Sequence, residues 1–357
     1  GHGATVTDPL LLFAERNLRP LVGITGTKGK STTTHLAAHL LAAAGVPALA
    51  AGNNCVSPLS CLDAPERQPV LELSSWQLRD LGAAGRSPDI ACWLNFFPDH
   101  ADHYHDMEEY FRDKAELLAY QGPEDTAILP ADDRPLAALP VRGKKLLFSG
   151  AHPVVEGWGV AAGRLVRHHA GQEIVAIPLA GLAPALVPRH WLANIAAACA
   201  VAEVAGAGTE LAAGLASFPG LAHRMERLPA PAGYVVINDS AASTPESALL
   251  ALAEVRQRPL VLIAGGGGVK NLDLSGFAAA AAGAELLILF RDDPASTALR
   301  AFPEVAGKPG LRNAATMEEA VATGWAFLRR AGGGTLLLSP ACSGAPFFPD
   351  MFVRGER

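Results

Sequence analysis

Thr25-Gly26-Thr27-Lys28-Gly29-Lys30-Ser31-Thr32 is the stretch whose residue types and spacing could do chemistry. Glycine at 26 and 29 lets a backbone turn sharply and bring its N–H groups close to a ligand. Lys30 adds a mobile cation, and the Ser31 hydroxyl can ligate magnesium. Amides, an ammonium and a hydroxyl in this order suit the phosphates of a nucleotide. The common pattern G-x-x-x-x-G-K-[ST] would place its first glycine at Ile24, so this loop is a variant. A glycine turn with a chance Gly-Lys-Ser is the alternative.

Further along, Glu72 stands between apolar residues at the end of VLEL and needs a partner there. It reads as a magnesium ligand with Ser31, or as a solvated strand end. Asp99, His100, Asp102, His103, His105 and Asp106 crowd one short stretch. That stretch fits a zinc site or a solvated loop. Lys114 lies in an amphipathic helix and by its sequence alone reads as a surface lysine. Asn194 sits in a buried apolar helix, where an apolar residue would cost less.

These residues need a scaffold. Leu21, Val22, Ile24 and Thr25 predict a strand entering the loop. Leu36, Ala37, Leu40, Leu41 and Ala44 predict a helix leaving it, which Gly45 stops. Such a helix offers its positive dipole end to an anion. Short buried strands are expected at 70–73 and 90–97, an amphipathic helix at 107–120, small strands within 141–189 and a buried helix at 190–206. The register changes near 219–227. Beyond it YVVIND, LVLIAGG, ELLILF and TLLLSP recur as strands, with helices at 246–255 and 317–331. That alternation predicts a parallel α/β sheet. Its ligand edge would carry Asp239, the glycines 265–268 with Lys270, and residues 339–343.

The 357 residues suffice for two or three domains, and half of them are apolar. Net charge is −6 without a basic run, which argues against nucleic acid as a partner. The five cysteines form no C-x-x-C pair and read as reduced thiols of a cytoplasmic protein. The apolar runs are alanine-rich and broken, so no membrane insertion is expected. No signal peptide is read, and Gly1-His2 resembles a tag remnant.

T-G-T-x-G-K-[ST] resembles the Mur ligase family, the ATP-dependent amide ligases of peptidoglycan synthesis, and its folylpolyglutamate synthetase relatives. LELSSWQL, LNFFPDHADHY, YFRDKAEL, HWLANIAAA, GLAHRME, NDSAAST and LSPACS follow in the family's order. The resemblance implies an α/β fold: a central P-loop ATPase-type domain over residues 21–221, then a Rossmann-like parallel α/β C-terminal domain over 222–357. Residues 1–20 would be a lead left from an N-terminal UDP-binding domain, and the RGER end looks clipped. The implied activity is that of the glutamate-adding members. D-glutamate would join UDP-N-acetylmuramoyl-L-alanine through an acyl phosphate, with release of ADP and phosphate. L-glutamate, another Mur-fold ligation, or a non-catalytic ATP-binding regulator remain the alternatives.

Carried over motif by motif, the resemblance makes Lys30, Glu72, His100 and Lys114 catalytic. Ser31, Glu72, His100 and Lys114 would hold two magnesium ions, Lys114 as a carbamate. Gly26, Thr27, Lys28, Gly29, Lys30, Ser31, Thr32, Asn53, Asn194, Arg224 and Asp239 would bind ATP. Ser243, Lys270, Ser343 and Gly344 would meet the amino acid. A monomer working on small molecules is implied. There are three departures. Ala241 stands where many members have lysine. Ser343-Gly344-Ala345-Pro346-Phe347-Phe348 replaces A-S-x-D-x-F. His103 falls where many members have arginine.

Overall fold

The computed structural model describes residues 8–53, 56–98, 104–183, 186, 191–267, 272–344 and 348–356. The chain divides into two compact units, Gly1–Pro219 and Gly220–Arg357.

The first unit is built on one sheet. Its strands are β1 (Val22–Thr25), β2 (Ala48–Gly52), β3 (Gln68–Glu72), β4 (Ile90–Trp93), β5 (Thr126–Pro130), β6 (Lys144–Phe148), β7 (Gly157–Ala161), β8 (Arg164–His169) and β9 (Gln172–Pro178). Their order is β2-β3-β1-β4-β5-β6-β7-β8-β9. Pairing is parallel from β2 to β7 and antiparallel across β7, β8 and β9. β1 is buried along its length, with Val22 opposite both Val70 and Ile90. The chain winds to one side of β1 through β2 and β3, then crosses to the other through β4. The carboxyl end of β1 is therefore the switch point where an open parallel sheet leaves a crevice.

Helices α1 (Pro9–Arg16), α2 (Lys30–Ala43), α3 (Ser75–Ala83) and α4 (Met107–Ala119) belong to this unit. Each start has a local cause except that of α2. Asp8 caps α1, Ser74 and Gln77 form a reciprocal capping box on α3, and Asp106 caps α4. The α1 segment was expected as a mere lead. Instead its Leu10 and Phe13 pack into a core with Leu71, Leu78, Trp93 and Leu117. β4 also stops at Trp93, although the apolar run continues to Phe97. The buried helix spans Leu192–Ala202 and widens into a looser turn over Glu203–Ala207, where Gly206 has φ 112°.

The second unit holds β10 (Glu226–Leu228), β11 (Tyr234–Asn238), β12 (Leu260–Ala264), β13 (Leu286–Phe290), β14 (Leu311–Ala314) and β15 (Gly334–Leu338). The order is β10-β11-β15-β12-β13-β14, parallel except for β10 against β11. The four expected strands and the helices Pro245–Glu254 and Met317–Ala331 are present. β12 and β13 are fully buried, as strands covered on both faces must be. β10 and β14 carry no apolar run, and sequence patterning had no signal for them. Among the described residues no helix is long and apolar enough to cross a membrane.

Candidate functional site

In the first unit the loop leaves β1 at Thr25 and closes into α2 at Lys30. Gly26 (φ 155°) needs to be glycine because a Cβ would sit 2.9 Å from Leu94 Cβ. Gly29 (φ 87°) takes the left-handed region at the start of α2, and no side chain caps this helix. The dipole of this helix end favours an anion. A Cβ on Gly29 would fall 2.6 Å from Asn194 Oδ1, so Asn194 packs directly on the loop.

Two lysines converge here. Lys30 Nζ donates to Gly26 O (2.9 Å) and Thr27 O (3.1 Å). Lys114 is 1% exposed, so the surface reading of this lysine fails. Its Nζ donates to Thr25 Oγ1 and Gly26 O, both at 3.2 Å, and lies 4.9 Å from the centre of the Tyr110 ring. Helix α4 places it there by turning its Tyr110–Leu117 side to the core. Tyr104 donates to Asp113 Oδ2 (3.0 Å), and burial pushes its phenol up to about 12.

Glu72 ends β3 beside β1 and is 3% exposed. Its Oε2 is buried without a hydrogen-bond partner. A carboxylate oxygen left so costs folding free energy unless a ligand completes it. Asn53 reaches this place through its backbone, donating to Glu72 O at 2.9 Å. His100, with Asp99, Asp102 and His103, lies outside the described residues. Asp106 is committed elsewhere, since its Oδ1 accepts from Glu109 N as the cap of α4. Among the described residues no group of His, Cys, Asp and Glu could hold a metal by itself.

One residue escaped sequence reasoning. Asn95 Oδ1 accepts from Thr27 N and Lys28 N, each at 3.0 Å, and its Nδ2 donates to Lys28 O at 2.9 Å. The only signal was a polar residue inside an apolar run, which implies a hydrogen-bond partner.

In the second unit Asp239 follows β11 and is buried. Its carboxylate accepts from Met225 N (3.1 Å) and Ser339 Oγ (2.9 Å), and burial pushes its pKa up to about 6. Arg224 sits between two left-handed residues, His223 (φ 64°) and Met225 (φ 47°). Such backbone is strained in non-glycine residues and persists only where its surroundings hold it. Here His223 O accepts from Ala241 N and Met225 N is tied to Asp239. Ser343 O accepts from Gly267 N (2.9 Å), fastening the 339–344 loop to the glycine run. Gly344 is buried there and its carbonyl accepts from Phe348 N. Ser243 precedes the cap of Pro245–Glu254, and its N–H donates to Ala241 O. Ala241 is buried where the resemblance would put a lysine. Lys270 lies outside the described residues.

Arg354 joins these loops and was also missed. It is fully buried, and donates from Nη1 to Cys342 O (2.9 Å), from Nη2 to Ser240 O (2.7 Å) and from Nε to Ser240 Oγ (3.1 Å). Its neighbour Gly355 packs so closely on His223 that a Cβ there would collide with the imidazole ring.

Residues 24–202 match the Mur ligase middle domain, and 223–342 match the Mur ligase glutamate ligase domain. The chain belongs to the Mur ligase family. Over 351 residues it is 35% identical to the UDP-N-acetylmuramoyl-L-alanine--L-glutamate ligase of Xanthomonas euvesicatoria pv. vesicatoria, covering 96% of this chain and 72% of that protein. It is 34% identical to the UDP-N-acetylmuramoylalanine--D-glutamate ligase of Roseiflexus sp. (strain RS-1), covering 99% and 78%. In fold, this Mur ligase is similar to MurF ligase from Thermotoga maritima in complex with ADP (17% identity, TM-score 0.66, 99% and 83% covered). It is also similar to the folylpolyglutamate synthase of Mycobacterium tuberculosis complexed with ADP and AMPPCP (17% identity, TM-score 0.63, 93% and 91% covered).

The first unit of this Mur ligase thus gathers Gly26 to Thr32, Glu72, Lys114 and Asn194 around one glycine loop. The second gathers Arg224, Asp239, Ser243 and Ser343 around a buried arginine. Each constellation is held by its own sheet.

Proposed function

We propose that this Mur ligase is a cytoplasmic, monomeric enzyme that uses ATP to join glutamate to UDP-N-acetylmuramoyl-L-alanine. The observation that carries the reading is the uncapped glycine loop with two lysines and a buried, incompletely bonded Glu72 around it. The substrate assignment follows its relatives, which are named for D- or L-glutamate.

In this reading the N–H groups of Gly29 to Thr32 and the Lys30 ammonium hold the β- and γ-phosphates. As the γ-phosphoryl group moves, charge spreads over its oxygens, and fixed amides with a nearby cation stabilise it without reorganising. A carboxylate oxygen of the muramoyl substrate bonds to the γ-phosphorus, and the bond from that phosphorus to the bridging oxygen of ADP breaks. The glutamate amine then attacks the acyl carbon, phosphate departs with the transferred oxygen, and the amine loses a proton. Asn194 flanks the loop, and Arg224 and Asp239 are the further residues assigned to the nucleotide. Ser243, Lys270, Ser343 and Gly344 serve glutamate.

Glu72 fits a magnesium ion, because a hard cation prefers oxygen and Oε2 has an open valence there. Ser31, Glu72, His100 and Lys114 would hold two such ions, which would supply charge neutralisation on the phosphates. Lys114 fits only after CO2 turns its ammonium into an anionic carbamate, since a bare cation would repel the metal. Asn53 joins the nucleotide side of this group.

The test is phosphate release by the full-length protein. Release that requires ATP, UDP-N-acetylmuramoyl-L-alanine and one isomer of glutamate is expected, and the isomer names the product. Release that ignores glutamate would overturn the reading.

A further inference from the structure

The buried helix Leu192–Ala202 carries Asn194 to the phosphate loop, and six of its 11 residues are alanine. Alanine ridges are shallow, so packing alone resists sliding or rotation of such a helix only weakly. A polar anchor stands at its far end. Glu203 Oε1 accepts from Arg167 Nε (2.9 Å) and Nη2 (2.8 Å), and Oε2 accepts from Arg167 Nε (2.8 Å) and Trp158 Nε1 (2.6 Å). Arg167 is buried and is also held by Glu156, whose Oε1 accepts from its Nη1 at 2.9 Å. The β8–β9 ladder shifts register between Arg167 and His168, a local break of the kind that re-aims a side chain. The regular turns of the helix end where Glu203 begins the wider one, so the carboxylate grips the helix where its own ladder loosens. Buried ion pairs add little net stability, and fixing a register is their best-attested use.

We propose that Glu203 is a positioning residue: clamped by Arg167 and Trp158, it sets the register of the buried helix and thereby holds Asn194 against the phosphate loop. The fit at the loop is close, since a Cβ on Gly29 would lie 2.6 Å from Asn194 Oδ1. A slip of one residue, about 1.5 Å along the helix axis and about 100° around it, would undo that fit. The inference rests on the proposed ATP site. It adds to that site a residue nine positions beyond Asn194, about 13 Å along the helix, that meets no nucleotide itself.

The experiment is a double-mutant cycle on the full-length protein, with Glu203→Gln and Asn194→Ala made singly and together. Calorimetry reads the affinity for magnesium-AMPPNP. Glutamine keeps the volume of Glu203 but removes its charge and one of the two oxygens that Arg167 and Trp158 share. Each single variant is expected to bind at least about fivefold more weakly, and the double variant no more weakly than Asn194→Ala alone, because Glu203 acts through Asn194. Independent effects at sites this far apart add. A double variant weakened by the product of the two single losses would therefore mean a merely structural role and overturn the proposal. Unchanged affinity in Glu203→Gln would overturn it too, while leaving the ATP site intact. Wild type that fails to bind AMPPNP would instead remove the ATP site, and the positioning role with it. Should Glu203→Gln not fold, Arg167→Lys, which replaces the planar fork by a point cation, is read in the same cycle.

Discussion

The two constellations treat buried charge in opposite ways. Around the phosphate loop, Glu72 Oε2 is buried and unbonded, and two ammonium groups lean on loop carbonyls. Around Arg354 the polar groups close on each other: guanidinium on Cys342 O and Ser240, Asp239 on Ser339 and Met225 N. A buried group left open costs stability and is tolerated where a ligand completes it. A closed network rigidifies the loops it joins. In the proposed reading the first arrangement is the reaction site, and the second is the frame that fixes the loops meant for nucleotide and amino acid.

Substitutions can break that contrast. The largest effects belong to the open site. Lys30→Ala should lower turnover by at least about a thousandfold with little change in Tm, because Lys30 stabilises transferring charge. Lys114→Ala should lose most activity, and acetate should restore part of it by supplying the missing anionic oxygens. Lys114→Arg should not be rescued, since a guanidinium does not take up CO2. Steady-state rates with and without acetate check this; full activity of Lys114→Ala in CO2-free buffer would end the carbamate assignment.

In the closed frame the effect should appear in folding. Arg354→Ala leaves Cys342 O and Ser240 O without their donor and should destabilise by about 3–5 kcal/mol, read from urea unfolding. An unchanged urea midpoint would mean that the network is not the frame.

Asp239 sharpens the comparison through pH. Its folded carboxyl titrates at about 6, pushed up by burial, above an unfolded aspartate near about 3.9. The folded state binds the proton more tightly, so this group's contribution is full below about pH 4 and is lost as pH rises through 6. About two pH units correspond to about 3 kcal/mol at most. Asp239→Asn should flatten that decline while weakening nucleotide binding; an equal decline in both proteins would assign it to other groups.

The smallest effect separates cap from ligand. Asp106→Ala should cost about 1 kcal/mol of stability and leave magnesium dependence unchanged. A shifted magnesium requirement would return Asp106 to the metal site.

Much of this was legible. The strand–glycine–helix pattern located the loop, and Glu72 showed itself as a charge between apolar residues. Lys114 showed itself only through the family resemblance, because an amphipathic helix hides whether its lysine faces inward until the partners are known. Asn95 was hidden because IACWLNFF reads as one strand, although the backbone leaves the sheet after Trp93 to bond the loop. Arg354 sits in a short helix, Met351–Glu356, and its partner Ser240 lies 114 positions earlier in the chain. Sequence patterning covers local periods and does not reach that far.

The central claim is that the loop cluster activates a carboxylate by phosphorylating it. UDP-N-acetylmuramoyl-L-alanine labelled with 18O in its alanyl carboxylate tests this directly in the full-length protein. The account predicts one labelled oxygen in each inorganic phosphate released, since the acyl C–O bond breaks when glutamate attacks. Unlabelled phosphate accompanying amide formation would contradict it.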